Sequence, residues 1–203
     1  GVNEDRYRQL YGDKPLPRTW DDLIDPAYEG EIVLTDPTAS STSYLFVQNQ
    51  LQRLGWDEGW AYLESLTPLV GQFPPSGGAP PQLVGAGEYA IGVAYVHALA
   101  RYRADGFPIT VIVPPATVGE VGSVGIIAGA PNMEAAQRFV DFVLSADMQT
   151  EFAAQSFTTP INPDASVREG APRRNDFDMI DYDAELAGEQ RDEVLLRWQQ
   201  VVD

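Results

Sequence analysis

The run Asp36-Pro37-Thr38-Ala39-Ser40-Ser41-Thr42-Ser43 places four consecutive hydroxyls where a predicted strand hands over to a predicted helix. The first turn of a helix has N–H groups with no intrahelical partner, and the dipole behind them favours negative charge. The hydroxyls of Ser40, Ser41, Thr42 and Ser43 add neutral donors, so this loop could hold a phosphate, sulfate, phosphonate or carboxylate group. Simple capping is the competing use, and one serine suffices for it. A second strand-end loop, Pro75-Ser76-Gly77-Gly78, has side chains small enough for a ligand to approach the backbone. Tyr95 and His97 sit at the end of a third predicted strand, 90–96. In an open parallel sheet, ligands bind outside the carboxyl ends of the strands, so the three loops converge on one rim.

Other chemistries fail on residue inventory. His97 is the only histidine, so any Ser-His-Asp arrangement or histidine-rich metal site must use it. Gly122-Ser123-Val124-Gly125 lacks the first half of the G-x-S-x-G nucleophile elbow. The only lysine, Lys14, is far from any phosphate-binding G-K-[ST] run, and Gly85-x-Gly87 leads through Glu88 into a strand rather than a helix. With no cysteine there is no disulfide, thiolate metal site or cysteine nucleophile. Asp176, Asp178, Asp181 and Asp183 are dense in carboxylate but lack the glycine and spacing of a calcium loop, so they read as a solvated acidic loop. No metal, cofactor or catalysis is expected. An α/β enzyme using Glu88, Glu120 or His97 as acid or base is the rival, because these residues lie near predicted strand ends.

The elements needed to position the rim follow from hydropathy and punctuation. Short apolar runs at 31–35, 70–73, 90–96, 109–113 and 121–128 read as strands. Helical patterns cover 41–55, 56–66, 79–87, 99–104, 132–144, 148–155 and 184–202, with Asn132 as an N-cap and Gly55 as a stop. Thr19-Trp20-Asp21-Asp22 caps a short helix ending before Asp25-Pro26, and 156–183 is irregular. The alternation predicts an α/β fold with a mostly parallel sheet flanked by helices. At 203 residues and 44% hydrophobic content the chain is one domain or two small ones. Thirty acidic against thirteen basic residues give a net charge of −17, which repels phosphate backbones and anionic lipid, so nucleic acid and membrane surfaces are poor partners. No apolar run approaches the roughly 20 residues of a membrane span. The opening GVNEDRYRQL is neither a signal peptide nor a lipid-attachment site, so an exported parent would carry its export signal elsewhere.

The order of phrases resembles a known family. Pro17-Arg18-Thr19-Trp20-Asp21-Asp22-Leu23, followed by Asp25-Pro26-Ala27-Tyr28-Glu29-Gly30-Glu31-Ile32, is similar to the P-x-T-W-D-D-L-x-D-P-x-Y-x-G-x-I run of extracellular solute-binding proteins of ABC importers, of the ferric-iron, phosphonate and sugar-phosphate type. Asp36-Pro37 with the hydroxyl run and Tyr44, then Gly87-Glu88, Gly129-Ala130-Pro131-Asn132, Ala136, Phe139 and Gln149, match later landmarks, so the resemblance covers nearly the whole chain. It implies a periplasmic-binding-protein type II-like clamshell, located in the periplasm or at the cell surface, that holds a small solute or ion in its cleft and delivers it to a membrane permease. This chain then corresponds to the second lobe without the first: 1–115 forms its core, 116–148 ordinarily crosses back to the first lobe, and 149–203 returns with the C-terminal helix. A strand at 121–128 without its sheet is a template for another chain, which raises self-association. Ferric-binding members carry adjacent tyrosines after the Gly-Glu landmark, and Tyr95-Val96-His97-Ala98 departs from that pattern. Iron held by Tyr95 and His97, pointing to one face of a strand about 6–7 Å apart, is the alternative.

Overall fold

The computed structural model describes residues 1–169, 171 and 176–202. Its sheet is made of short strands: β1 (Val2–Asn3), β2 (Ile32–Val33), β3 (Val70–Gln72), β4 (Ile91–Gly92) and β5 (Ile109–Thr110), in the order β3-β2-β4-β1-β5. β2 runs parallel to both neighbours, pairing Ile32 with Val70 and with Ile91. β1 is antiparallel to β4 and to β5, so it is the single reversed strand in an otherwise parallel sheet. Ile32, Val33 and Leu34 are fully buried, as expected of a central strand covered on both faces. β1 escaped the sequence reading because two residues carry no period; its partners define it, through hydrogen bonds such as Asn3 N–H to the Ala90 carbonyl at 2.9 Å.

The helices are α1 (Glu4–Tyr11), α2 (Ser41–Leu54), α3 (Trp56–Leu66), α4 (Ala79–Gly85), α5 (Val96–Ala104), α6 (Met133–Leu144), α7 (Ala146–Ser156), α8 (Ala184–Glu189) and α9 (Arg191–Val202). Gly55 ends α2 at φ 90°, which lets the chain reverse within one residue and begin α3. The two helices then lie so close that a Cβ on Gly59 would stand 2.8 Å from Leu51 Cα. Phe46, Val47, Leu51, Trp60, Leu63, Leu66 and, from α9, Val194 and Trp198 share one buried cluster with Ile32 and Leu34.

The chain divides into two compact units, Gly1–Val118 with Phe177–Asp203, and Gly119–Asp176. The first holds the sheet. The second contains α6, capped by the Asn132 side chain, and α7, capped by Ser145. Gln149 Oε1 accepts the N–H groups of Ile161 and Asn162 at 3.0 and 2.8 Å, tying the following loop to α7. The strand expected over 121–128 is absent: residues 119–127 have no regular structure, and Ile127 is 83% exposed. An apolar run forms a strand only where a ladder satisfies its backbone, and this one has no ladder.

Substituting Gly59→Ala should cost about 1–3 kcal/mol through overpacking against α2. Gly188→Ala, on α8 with nothing within 4 Å, should instead be neutral or slightly stabilising. Denaturant unfolding of both variants reads the difference, and equal effects would contradict the close helix contact.

Candidate functional site

β3, β2 and β4 are adjacent and parallel, so the loops that follow them leave from one edge of the sheet. Hydrogen bonds carry the order past the strands: Asp36 N–H donates to the Pro74 carbonyl at 3.1 Å, and Val93 N–H to the Val33 carbonyl at 3.1 Å. In the loop after β2, the Asp36 carboxylate accepts the Thr38 N–H at 2.8 Å, while its carbonyl accepts those of Ala39 and Ser40. This double turn aims the chain into α2.

Ser40 occupies the N-cap position of α2 with extended φ and ψ, yet its side chain makes no capping hydrogen bond. Asn3, Asn132, Ser145 and Asp183 do cap their own helices. The capping use proposed for these hydroxyls therefore does not apply to Ser40, and its Oγ is available for other partners. Gly77, from the loop after β3, comes against the same place. A Cβ there would lie 2.7 Å from Thr42 Oγ1 and 3.0 Å from Ser40 Oγ. Ser40 and Thr42, at the start of α2, thus meet Gly77 of the loop after β3 at close range. Ser41 and Ser76 are exposed beside this contact. Ser43 is different: it is fully buried, and its hydroxyl has no hydrogen-bond partner. The Thr35 hydroxyl, at the end of β2, is buried and unpartnered in the same way.

Tyr95 and His97 are not on a strand. β4 ends at Gly92; Tyr95 is the N-cap of α5 and His97 lies in its first turn. Helix geometry replaces strand alternation, and the two rings stack at 5.3 Å with a 20° interplanar angle. The side-by-side donor pair expected from strand spacing is therefore not formed. Burial lowers the His97 pKa below its ordinary 6.5, which favours a neutral imidazole at pH 7. Glu88 and Glu120, the carboxylates considered for acid–base work, are exposed and belong to different compact units. Among the described residues, no three His, Asp or Glu side chains gather to hold a metal ion.

A cavity of about 400 Å³ opens beside the loop after β2, lined by Asp36, Thr38, Phe73, Trp198, Gln199 and Val202. Sequence reasoning missed it because three of its walls come from α9, more than 150 residues downstream, where Trp198 reads simply as a core residue.

Residues 2–185 match the family model described as bacterial extracellular solute-binding protein. The chain belongs to that family. An uncharacterized protein of Haemophilus influenzae is 35% identical over the whole chain, which spans 60% of that protein. The solved structure of the periplasmic binding protein AfuA from Actinobacillus pleuropneumoniae, with fructose 6-phosphate bound, superposes with a TM-score of 0.91 at 32% identity, covering 99% of this chain and 64% of that one. The periplasmic binding protein P5PA superposes with a TM-score of 0.85 at 29% identity, covering 100% of this chain and 65% of that one. The fold is that of periplasmic binding proteins, and the chain spans less than two thirds of these relatives.

Because Ser40 does not cap this solute-binding fold's α2, Ser40→Ala should change stability by only a few tenths of a kcal/mol, whereas Asp183→Ala, which removes a bond to the Leu186 N–H, should cost about 1 kcal/mol. Thermal or denaturant unfolding compares them. A loss of about 1 kcal/mol or more for Ser40→Ala would show that the hydroxyl is structural.

Proposed function

We propose that this chain is the ligand-holding part of the substrate-binding component of an ABC import system, and that its solute is a small anion, a phosphate ester first among them. It performs no catalysis in this reading. The protein works in the periplasm or at the cell surface and passes its cargo to a membrane permease. The observation that carries the reading is the uncapped start of α2, where the Ser40 and Thr42 hydroxyls meet Gly77. Unpartnered first-turn amides, the helix dipole and short hydroxyl donors suit a phosphoryl group, and glycine on the facing loop lets that backbone approach the Ser40 and Thr42 hydroxyls closely. The fructose 6-phosphate bound to AfuA supports the same class of solute. The net charge of −17 opposes an anion at long range, but salt screens that field over about 8 Å, leaving the contact donors to decide.

We further propose that in the longer protein the unit Gly119–Asp176, which contains most of the 116–148 segment, completes the other lobe of the clamshell. α6 has no buried residue, and Phe139 and Phe142 are 59% and 57% exposed, so its apolar side calls for a cover. The remainder of the protein supplies that cover in this reading, and self-association through 121–128 becomes unnecessary.

Calorimetry on the full-length protein with fructose 6-phosphate, inorganic phosphate, ferric citrate and spermidine tests the solute class. Phosphate-bearing compounds should bind, and the double substitution Ser41→Ala with Thr42→Val should weaken them at least about tenfold, or ~1.4 kcal/mol, with the helix content unchanged. Preference for ferric citrate or spermidine, or unchanged binding by the double variant, would overturn the assignment.

A further inference from the structure

The backbone passes from the first compact unit to the second after Val118 and returns at Phe177. Just inside that boundary the outgoing and returning passages are joined. Thr117 bridges Met179 in parallel; its N–H donates to the Asp178 carbonyl at 3.1 Å, and its carbonyl accepts the Ile180 N–H at 2.8 Å. The residue before it, Ala116, has φ 53°, a left-handed conformation that is costly for a residue carrying a Cβ. Such a conformation persists only where its surroundings impose it.

One side chain does so from α2. Asn49 Nδ2 donates to the Ala116 carbonyl at 3.0 Å, while the Asp178 carboxylate accepts the Ala116 N–H at 3.3 Å. Asn49 is fully buried, and its amide orientation is fixed by a relay along the same helix. Its Oδ1 accepts from Gln50 Nε2 at 3.0 Å, Gln50 Oε1 accepts from Arg53 Nε at 2.6 Å, and Arg53 Nη2 pairs with Asp21 at 2.7 Å. Burying two carboxamides is unfavourable unless every bond is made, and here the relay ends on a surface ion pair that anchors it.

We propose that Asn49 is a positioning residue that latches the paired passages 116–118 and 177–180 onto α2. Asn49 lies eight residues beyond Ser41, about 12 Å along the same rigid helix. The proposed solute site and the chain crossing are therefore attached to one element, so displacement of the helix start is transmitted to the crossing. Only this last consequence rests on the solute-binding reading; the latch itself does not.

Native-state hydrogen exchange of the ligand-free, full-length protein tests the latch apart from any ligand. In Asn49→Leu, which keeps the volume but removes the donor, the amides of Thr117 and Ile180 should exchange at least tenfold faster, while those of Val33 and Leu63 keep their protection. Arg53→Met, which loosens the relay from its outer end, should give a smaller rise at the same two amides and serves if Asn49→Leu fails to fold. Ala116→Gly should retain protection, since glycine accepts the left-handed conformation without help. Unchanged exchange at Thr117 and Ile180 in both relay variants, or a uniform rise that includes Val33 and Leu63, would overturn the inference.

Discussion

β2 has a parallel neighbour on each side, and the direction of these three strands decides where everything functional can lie. Parallel neighbours deliver their following loops to one edge, so the turns after β2, β3 and β4 become adjacent although those strands end as far apart in sequence as Val33, Gln72 and Gly92. The ladder is short, with two or three residues per strand, and it survives because its central strand is buried on both faces: Ile32, Val33 and Leu34 are all at 0% exposure, whereas the edge strand β3 is largely exposed. A reversed β2 would send the hydroxyl loop to the opposite edge, away from Gly77.

The same arrangement makes α2 the central helix of the first unit. Its start meets the loop after β3, its apolar side joins Trp60 and Leu63 of α3, and its polar residues reach outward to other segments. Tyr44 donates to the Ala187 carbonyl on α8, and Gln52 exchanges hydrogen bonds with the backbone of Asp183. Gln48, Asn49 and Gln50 are fully buried, an unusual polar load for a core helix. Each of these amides finds a partner. The hydroxyls of Thr35 and Ser43, by contrast, are buried without a partner, as are Tyr11 Oη, Trp20 Nε1 and Trp60 Nε1 elsewhere, and Thr35 and Ser43 flank the loop after β2.

How much of this was legible depended on the range of the forces concerned. The α2 boundaries could be read almost to the residue because Asp36-Pro37, the hydroxyls and Gly55 are local signals. The Thr19–Asp22 turn was equally plain, and the Thr19 N–H and hydroxyl do exchange bonds with Asp22. β1 and the irregular 119–127 segment were not readable, since pairing with distant strands decides both. Tyr95 and His97 are expected at the end of a strand but lie at the start of α5, because an apolar run at 90–96 does not reveal that β4 stops at Gly92. The Asn49 contact with Ala116 spans 67 residues and leaves no periodic trace.

The central claim is that an anionic group is held at the start of α2 by backbone amides and hydroxyls. Amide chemical shifts followed while fructose 6-phosphate is titrated into the full-length protein test it most directly. The account predicts that the largest saturable changes fall on Ser41, Thr42 and Gly77, with the α6 and α7 amides little affected. Saturable binding whose largest shifts lie elsewhere, with these three unmoved, would contradict it.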